Sequence, residues 1–414
     1  MANNQQNCIV IGASHAGVNL AFALRKEGWE GAITLFDTDP TLPYHRPPLS
    51  KAYLTSDDRI EKNLLKSADS YQKQDIDLNL GVSVSTISST DNTITTSDGN
   101  THHYTKLVIA TGARPFIPPI PGLKTATNLY PLRTAADVTN IKTALHASDT
   151  KRVVIIGGGY IGLETAASMK KLGATVTVLE REERILARVT APVMSEFFQK
   201  LHAENGVEVL TQKDVSNITS DGAQNIVHCA DGSQYPADVI VVGVGIRVNT
   251  ELADAAGIKL ENGIPVDEAA RTSDKDIYAI GDCSFHFNPH YGRNIRLESV
   301  QNAVDQAKIA AASICEKDVS YDTLPWFWSD QYDVKLQMVG LSQGYNKILV
   351  RQEPDEGHKF SVWYFKDNTL LAVDAVNNAK AYVVGTKFIK GGDPIDQTKL
   401  VDPNVEFKPA NLII

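Results

Sequence analysis

The chain is poor in cysteine: 414 residues hold four, Cys8, Cys229, Cys283 and Cys315, with no C-x-x-C pair and no metal-like spacing. A dithiol relay and a structural zinc are therefore not supported, and free, mostly buried thiols are expected. No apolar run approaches the length of a membrane span, and the opening MANNQQNCIV lacks a basic segment followed by an apolar one. A cytoplasmic protein with no membrane association is expected. Positive charge is short as well. The net charge is -9, whereas a protein devoted to nucleic acid needs a basic face. The histidines are scattered, with His102-His103 expected in a polar turn and His286 and His290 in a loop, solvated and holding no metal. Ser50 has no His/Asp pair near it in sequence, so no nucleophile is expected there.

What the chain does have is glycine in a meaningful order. Val153 to Ile156 is a short apolar β-branched run followed by Gly157-x-Gly159-x-x-Gly162 and a helical segment. This is the strand, turn and helix context of a dinucleotide fingerprint. Gly157 allows the tight turn, Gly159 lets the backbone approach a pyrophosphate, and Gly162 lets the helix pack on the sheet. Tyr160 and Ile161 open the helix in this loop. A second strand, Ala174 to Leu179, ends in Glu180, where a carboxylate accepts from ribose hydroxyls and repels a 2′-phosphate. NADH is thus expected over NADPH, with Arg181 and Arg184 pulling the other way.

A second copy opens the chain. Cys8 to Ile11 runs into Gly12-Ala13-Ser14-His15-Ala16-Gly17 and a helix over Val18 to Lys26, with Ser14 in place of the middle glycine. The next strand, Ala32 to Phe36, ends at Asp37, and either Asp37 or Asp39 should hold a ribose. Two dinucleotide folds imply two dinucleotides. The strand Leu107 to Gly112 and its counterpart Val239 to Gly245 suit a first domain that is interrupted by the second and then resumed. The expected fold class is α/β: two Rossmann-like dinucleotide-binding domains plus a small α+β C-terminal domain. The expected boundaries are 1–113 and 244–320 for the first, 114–243 for the second and 321–414 for the last. From about Tyr321 alternating segments predict a small antiparallel sheet (335–340, 347–351, 359–366, 369–376) with turns at Glu356-Gly357 and Asp367-Asn368, then a helix over 378–390.

The order Gly12 to Gly17, Ala110-Thr111-Gly112, Gly157 to Gly162 and Ile280-Gly281-Asp282 resembles the FAD-dependent pyridine-nucleotide reductases of the glutathione-reductase structural class. In those disulfide reductases a cysteine pair stands near the flavin; here Leu42-Pro43-Tyr44-His45-Arg46-Pro47-Pro48-Leu49-Ser50-Lys51 occupies that part of the chain. By itself Arg46-Pro47-Pro48 predicts an extended entry into a helix that leaves Arg46 free to fork onto a phosphate, or else a surface turn. The segment is similar to the RPPLSK signature of the ferredoxin reductases serving bacterial oxygenase systems. The likeness continues through Leu132-Arg133-Thr134, Arg188 to Pro192 and Pro325 to Gln331.

That resemblance implies FAD on the first fold, held by Gly12, Ser14, His15, Ala16, Gly17, Asp37 or Asp39, Arg46, Ala110, Thr111, Gly112, Gly281 and Asp282. It implies NADH on the second, held by Gly157, Gly159, Tyr160, Ile161, Gly162, Glu180 and Gly245. Lys51 and Glu164 are implied as an ion pair at the reactive edge of the flavin, and Trp328 as a side chain against its rings, with Trp326 or Phe327 as core. Glu298, Ser299 and Val300 begin the helix whose N-terminus is implied to face the flavin, and Arg133 is implied to help hold FAD or to be a surface salt bridge. The implied activity is reduction of a [2Fe-2S] ferredoxin that feeds a P450 or Rieske oxygenase. The alternatives are a rubredoxin or other acceptor, or an NADH-sensing flavoprotein like apoptosis-inducing factor. The ferredoxin would dock transiently on a local basic patch, and the reductase is expected as a monomer or weak homodimer.

Overall fold

Strands buried on both faces need unbroken apolar runs, and the chain supplies them twice. The computed structural model describes residues 6–222, 224–354 and 357–414. It divides into two units: Met1–His45, Arg59–Arg114 and Arg247–Pro325 in the first, Arg46–Asp58, Pro115–Ile246 and Trp326–Ile414 in the second.

In the first unit five parallel strands lie in the order Ile277–Ala279, Lys106–Ile109, Asn7–Ile11, Ala32–Asp37, Ile76–Leu80. The helices His15–Glu27 and Val300–Ile314 pack together through Ala16 and Ala21 on one and Ala303, Ala307, Ala310 and Ala311 on the other. Small side chains permit that close approach. The first strand thus delivers its glycine loop to the sheet's C-terminal edge, where such folds bind ligands.

The second unit repeats the plan with Glu208–Leu210, Thr175–Leu179, Arg152–Ile156, Val239–Val242 and Leu129–Pro131, again all parallel. It also holds a five-stranded antiparallel sheet, Trp326–Gln331, Val334–Gly340, Thr369–Val376, Phe360–Lys366, Lys347–Gln352 in spatial order. The helix Ala379–Gly391 lies on it, close enough that a Cβ on Gly385 would come within 2.6 Å of Val373 Cγ2. Among the described residues no helix is long and apolar enough to cross a membrane.

The structure departs from the sequence expectations in several places. Trp326–Gln331 is a strand that the alternation did not reveal, because three consecutive aromatic residues hide the period of two. His102 and His103 lie in the strand Thr101–His103, and His286 is buried in the strand Ser284–Asn288 rather than solvated in a loop. Its burial pushes its pKa down to about 4. Pro118 to Gly122 is irregular but tied down: Ile218 N donates to Pro121 O at 2.9 Å, and a Cβ on Gly122 would collide with Ile218 O. Of the expected turns, Asp367-Asn368 is present, whereas Glu356 lies outside the described residues. The four cysteines are free, and only Cys315 is not fully buried.

Inside the second unit, the buried carboxylate of Asp374 accepts from Tyr364 Oη at 2.5 Å and Thr190 Oγ1 at 2.7 Å. Burial raises its pKa to about 6. The folded state therefore holds a proton that the unfolded chain has already released between the ordinary carboxylate range and about pH 6. This group's contribution to stability falls as pH rises through that window and is flat above it. Thermal unfolding of Asp374→Asn across pH 5 to 8 should show the variant gaining on the wild type as pH rises, with the gain levelling off above about pH 6 to 7.

Candidate functional site

The two glycine loops are built alike. Gly12 has φ +108° and Gly157 φ +113°, and a Cβ would strike Ala110 O at 2.3 Å in the first case and Gly243 O at 2.4 Å in the second. Gly17 and Gly162 each pass so close to the first glycine of their loop that a Cβ would lie 1.9 and 2.1 Å from its carbonyl oxygen. These four positions are closed to side chains by the chain itself.

Gly159 is different. It is the N-cap of the helix Tyr160–Lys171 with φ -80° and ψ 177°, a conformation open to any residue, and a Cβ there would meet nothing within 4 Å. Nothing in the surrounding chain requires a glycine here, and the open space at the helix start fits the close approach a pyrophosphate requires. Neither this helix nor His15–Glu27 carries an acidic residue in its first turn to compete with an anion. Ser14 is the N-cap of the first, in extended conformation, and His15 and Ala16 follow it, both buried. Tyr160 turns its hydroxyl to Met338 Sδ at 3.0 Å, while Ile161 stays exposed in the same first turn.

The strand-ending acids also correspond. Glu180 accepts from Gly158 N at 2.7 Å and from Glu182 N at 2.9 Å. Asp37 accepts from Ala13 N at 2.6 Å and from Asp39 N at 2.9 Å, the same two backbone positions in the other fold. Asp39 instead caps Thr41 N and receives Tyr44 Oη at 2.8 Å. Asp37 is thus the counterpart of Glu180. Arg184, which could have welcomed a 2′-phosphate, is spent on Ser195 Oγ at 2.7 Å and Ala187 O at 2.8 Å, and Arg181 pairs with Glu182 at 3.0 Å.

Further residues of the first unit gather around its loop. Ala110 supplies the carbonyl that Gly12 approaches; Thr111 Oγ1 donates to Asn249 O at 2.8 Å, and Gly112 accepts from Asn249 N at 3.0 Å. Gly281, at φ +78°, brings its backbone against Ala16 Cβ, and its N donates to Gln306 Oε1 at 2.8 Å. Asp282 follows in the same 3-10 turn. Ser299 Oγ caps the helix that Val300 begins by accepting from Asn302 N at 3.1 Å, and Glu298 pairs with Arg296 at 2.8 Å.

In the second unit the segment Arg46–Asp58 meets the helix Tyr160–Lys171, which also packs on the strand Trp326–Gln331. Pro47 and Pro48 do not make an extended entry; they form the first turn of the 3-10 helix Pro47–Ser50, and Lys51 is the N-cap of Ala52–Thr55. Arg46 is not left free, since its Nη1 donates to Arg133 O at 2.6 Å. Lys51 Nζ donates to Glu164 Oε2 at 2.6 Å, and the glutamate side chain is 1% exposed against 19% for the lysine. Two serines that sequence reasoning missed complete the shell: Ser50 Oγ donates to Oε2 at 2.6 Å and Ser329 Oγ to Oε1 at 2.7 Å. Ser168 Oγ fixes the turn by donating to Ser50 O at 2.7 Å. Helix spacing could have suggested Ser168, four residues after Glu164, but nothing local points to Ser329.

The strand explains Trp328 as well. Phe327, Ser329 and Gln331 alternate onto the face toward the helix, where Phe327 packs on Tyr160 with ring centroids 5.4 Å apart. Trp326 and Trp328 share the other face, centroids 5.5 Å apart, and all three aromatics are only half-buried. Gly245, at φ +120°, accepts from Phe116 N at 2.9 Å with Arg188 close by.

Residues 6–307 match the family model described as pyridine nucleotide-disulphide oxidoreductase, and residues 326–411 match reductase C-terminal. The chain belongs to this oxidoreductase family. It is an FAD-dependent oxidoreductase that uses NAD(H). Putidaredoxin reductase of Pseudomonas putida is 41% identical over 98% of this chain and 97% of its own. The 5,5′-dehydrodivanillate O-demethylase ferredoxin reductase subunit of a Sphingobium strain is 40% identical over 97% of each. Among solved structures, the reductase of the covalent putidaredoxin reductase-putidaredoxin complex superposes with a TM-score of 0.93 at 41% identity, covering 98% of each chain.

If Gly159 is reserved for a close-lying phosphate, Gly159→Ala should fold with a stability change within about 1 kcal/mol, because the added Cβ meets nothing within 4 Å. NADH affinity, followed by fluorescence titration of the holoenzyme, should drop more than about tenfold.

Proposed function

We propose that this chain is an NADH-dependent flavoprotein reductase that hands electrons to a [2Fe-2S] ferredoxin serving a P450 or Rieske oxygenase. The observation that carries the reading is the segment Pro47–Lys51: the four cysteines are free, and this segment brings a lysine paired to a buried glutamate where disulfide reductases of the class bring thiols. Without a dithiol relay, electrons leave most simply to an external one-electron carrier. The relatives whose names specify a ferredoxin, matched over nearly their whole length, support the same acceptor. The ferredoxin docks transiently; the reductase works in the cytoplasm as a monomer or weak homodimer, without nucleic acid or membrane.

Bound FAD and NADH supply the redox chemistry, hydride from the nicotinamide to the flavin and single electrons onward. The chain's part is to bind and orient them. Gly12, Ser14, His15, Ala16, Gly17, Asp37, Ala110, Thr111, Gly112, Gly281 and Asp282 are assigned to FAD, with Arg46, Arg133, Trp328 and the helix start Glu298-Ser299-Val300. Gly157, Gly159, Tyr160, Ile161, Gly162, Glu180 and Gly245 are assigned to NADH. The corresponding division is 1–113 with 244–320, 114–243 and 321–414. Lys51 places a fixed positive charge for the reduced flavin, and Glu164 holds the lysine in place.

The test is anaerobic stopped-flow reduction of the flavin by NADH in Lys51→Met. The rate constant should fall at least about tenfold, equivalent to about 1.4 kcal/mol of barrier; an unchanged rate would make the pair merely structural. Cytochrome c reduction should be fast only when a [2Fe-2S] ferredoxin is added.

A further inference from the structure

Glu164 terminates a longer run of buried polar groups than its pairing with Lys51 requires. Tyr332 Oη lies 3.0 Å from His202 Nδ1, His202 Nε2 lies 2.9 Å from Gln331 Oε1, Gln331 Nε2 lies 3.3 Å from Ser329 Oγ, and Ser329 Oγ lies 2.7 Å from Glu164 Oε1. His202 is 0% exposed, Gln331 and Ser329 1%, and Glu164 2%. His202 stands near the end of the helix Pro192–Glu204, Glu164 sits on Tyr160–Lys171, and the strand Trp326–Gln331 joins them through alternate side chains.

The direction of every bond is fixed from the charged end. An ionised carboxylate can only accept, so Ser329 donates to it. The serine oxygen then accepts, so the NH2 of Gln331 faces it and the carbonyl of Gln331 faces His202. His202 must therefore carry its proton on Nε2. Burial keeps the proton affinity of the imidazole below the ordinary histidine range, so the ring stays neutral and Nδ1 accepts from Tyr332. All four donors point toward Glu164, an arrangement in which each bond polarises the next.

We propose that His202, as the neutral Nε2-H tautomer, is a positioning residue for the reductase reaction: it sets the Gln331 amide, which holds Ser329 on Glu164 Oε1 and leaves Oε2 to Ser50 and Lys51. The proposal rests on the assignment of Lys51 to the flavin reaction. Gln331 cannot pass a proton along this chain as a hydroxyl would, so its role is orientation and not proton transport.

Two measurements on the holoenzyme test it. In protein labelled with 15N-histidine, two-bond proton-nitrogen correlation should show His202 protonated on Nε2, in the wild type and equally in Tyr332→Phe, because direction is set at the glutamate. A proton on Nδ1 in either would overturn the proposal, whatever Lys51 does. In anaerobic stopped flow, Gln331→Leu and His202→Phe should lower the rate constant of flavin reduction about tenfold while leaving the NADH dissociation constant within about twofold. His202→Gln, which can still donate to Gln331, should recover most of the rate. A folded Gln331→Leu protein reducing at the wild-type rate would overturn the proposal. If His202→Phe does not fold, the tautomer and the Gln331 variant decide.

Discussion

The second unit is organised by the need to satisfy one buried carboxylate. Taking a glutamate out of water costs several kcal/mol unless it is both paired and hydrogen-bonded. Glu164 meets that condition with three partners from two segments remote in sequence, Lys51 and Ser50 from one and Ser329 from the other. The helix Tyr160–Lys171 is thereby fixed to a 3-10 turn recruited from early in the chain and to the first strand of the C-terminal sheet. Removing Lys51 would leave the buried charge uncompensated, and removing Ser329 would leave Oε1 without its donor, so the three segments are held as one arrangement.

The nucleotide folds depend on a different economy, that of space. At four glycines the chain's own carbonyl oxygens stand where a Cβ would be, and at Gly159 nothing of the chain stands there at all. The first kind of glycine shapes the turn, and the second leaves the start of the helix Tyr160–Lys171 open. The matched hydrogen bonds at Asp37 and Glu180 extend the correspondence to the acids that end each second strand. Because the two backbone donors approach each carboxylate from its own loop and from two residues downstream, the acid is oriented by local geometry that both folds share.

That locality is why so much was legible. A glycine loop, the strand before it and the helix after it occupy consecutive residues, so spacing alone reveals them; the Thr369–Val376 strand was legible from alternation for the same reason. The choice between Asp37 and Asp39 needed the backbone, since Asp39 is diverted to Tyr44. Trp326–Gln331 and the buried strand carrying His286 were hidden because aromatic runs and a histidine obscure the period of two. Ser329 and His202 were beyond reach, being more than a hundred and sixty and thirty-five residues respectively from Glu164 with nothing local to link them. Lys51 with Glu164 was reachable only through family resemblance. Arg46 shows the converse, a residue whose surroundings changed its expected use: one arm of its fork goes to the Arg133 carbonyl.

Lys51 and Glu164 depend on each other. A double-mutant cycle combining Lys51→Met with Glu164→Leu, read by denaturant unfolding of the holoenzyme, measures that dependence directly. The account predicts single losses of about 3 kcal/mol for removing either partner of a buried pair, with the double variant losing at least about 1 kcal/mol less than their sum. Losses that simply add would contradict it.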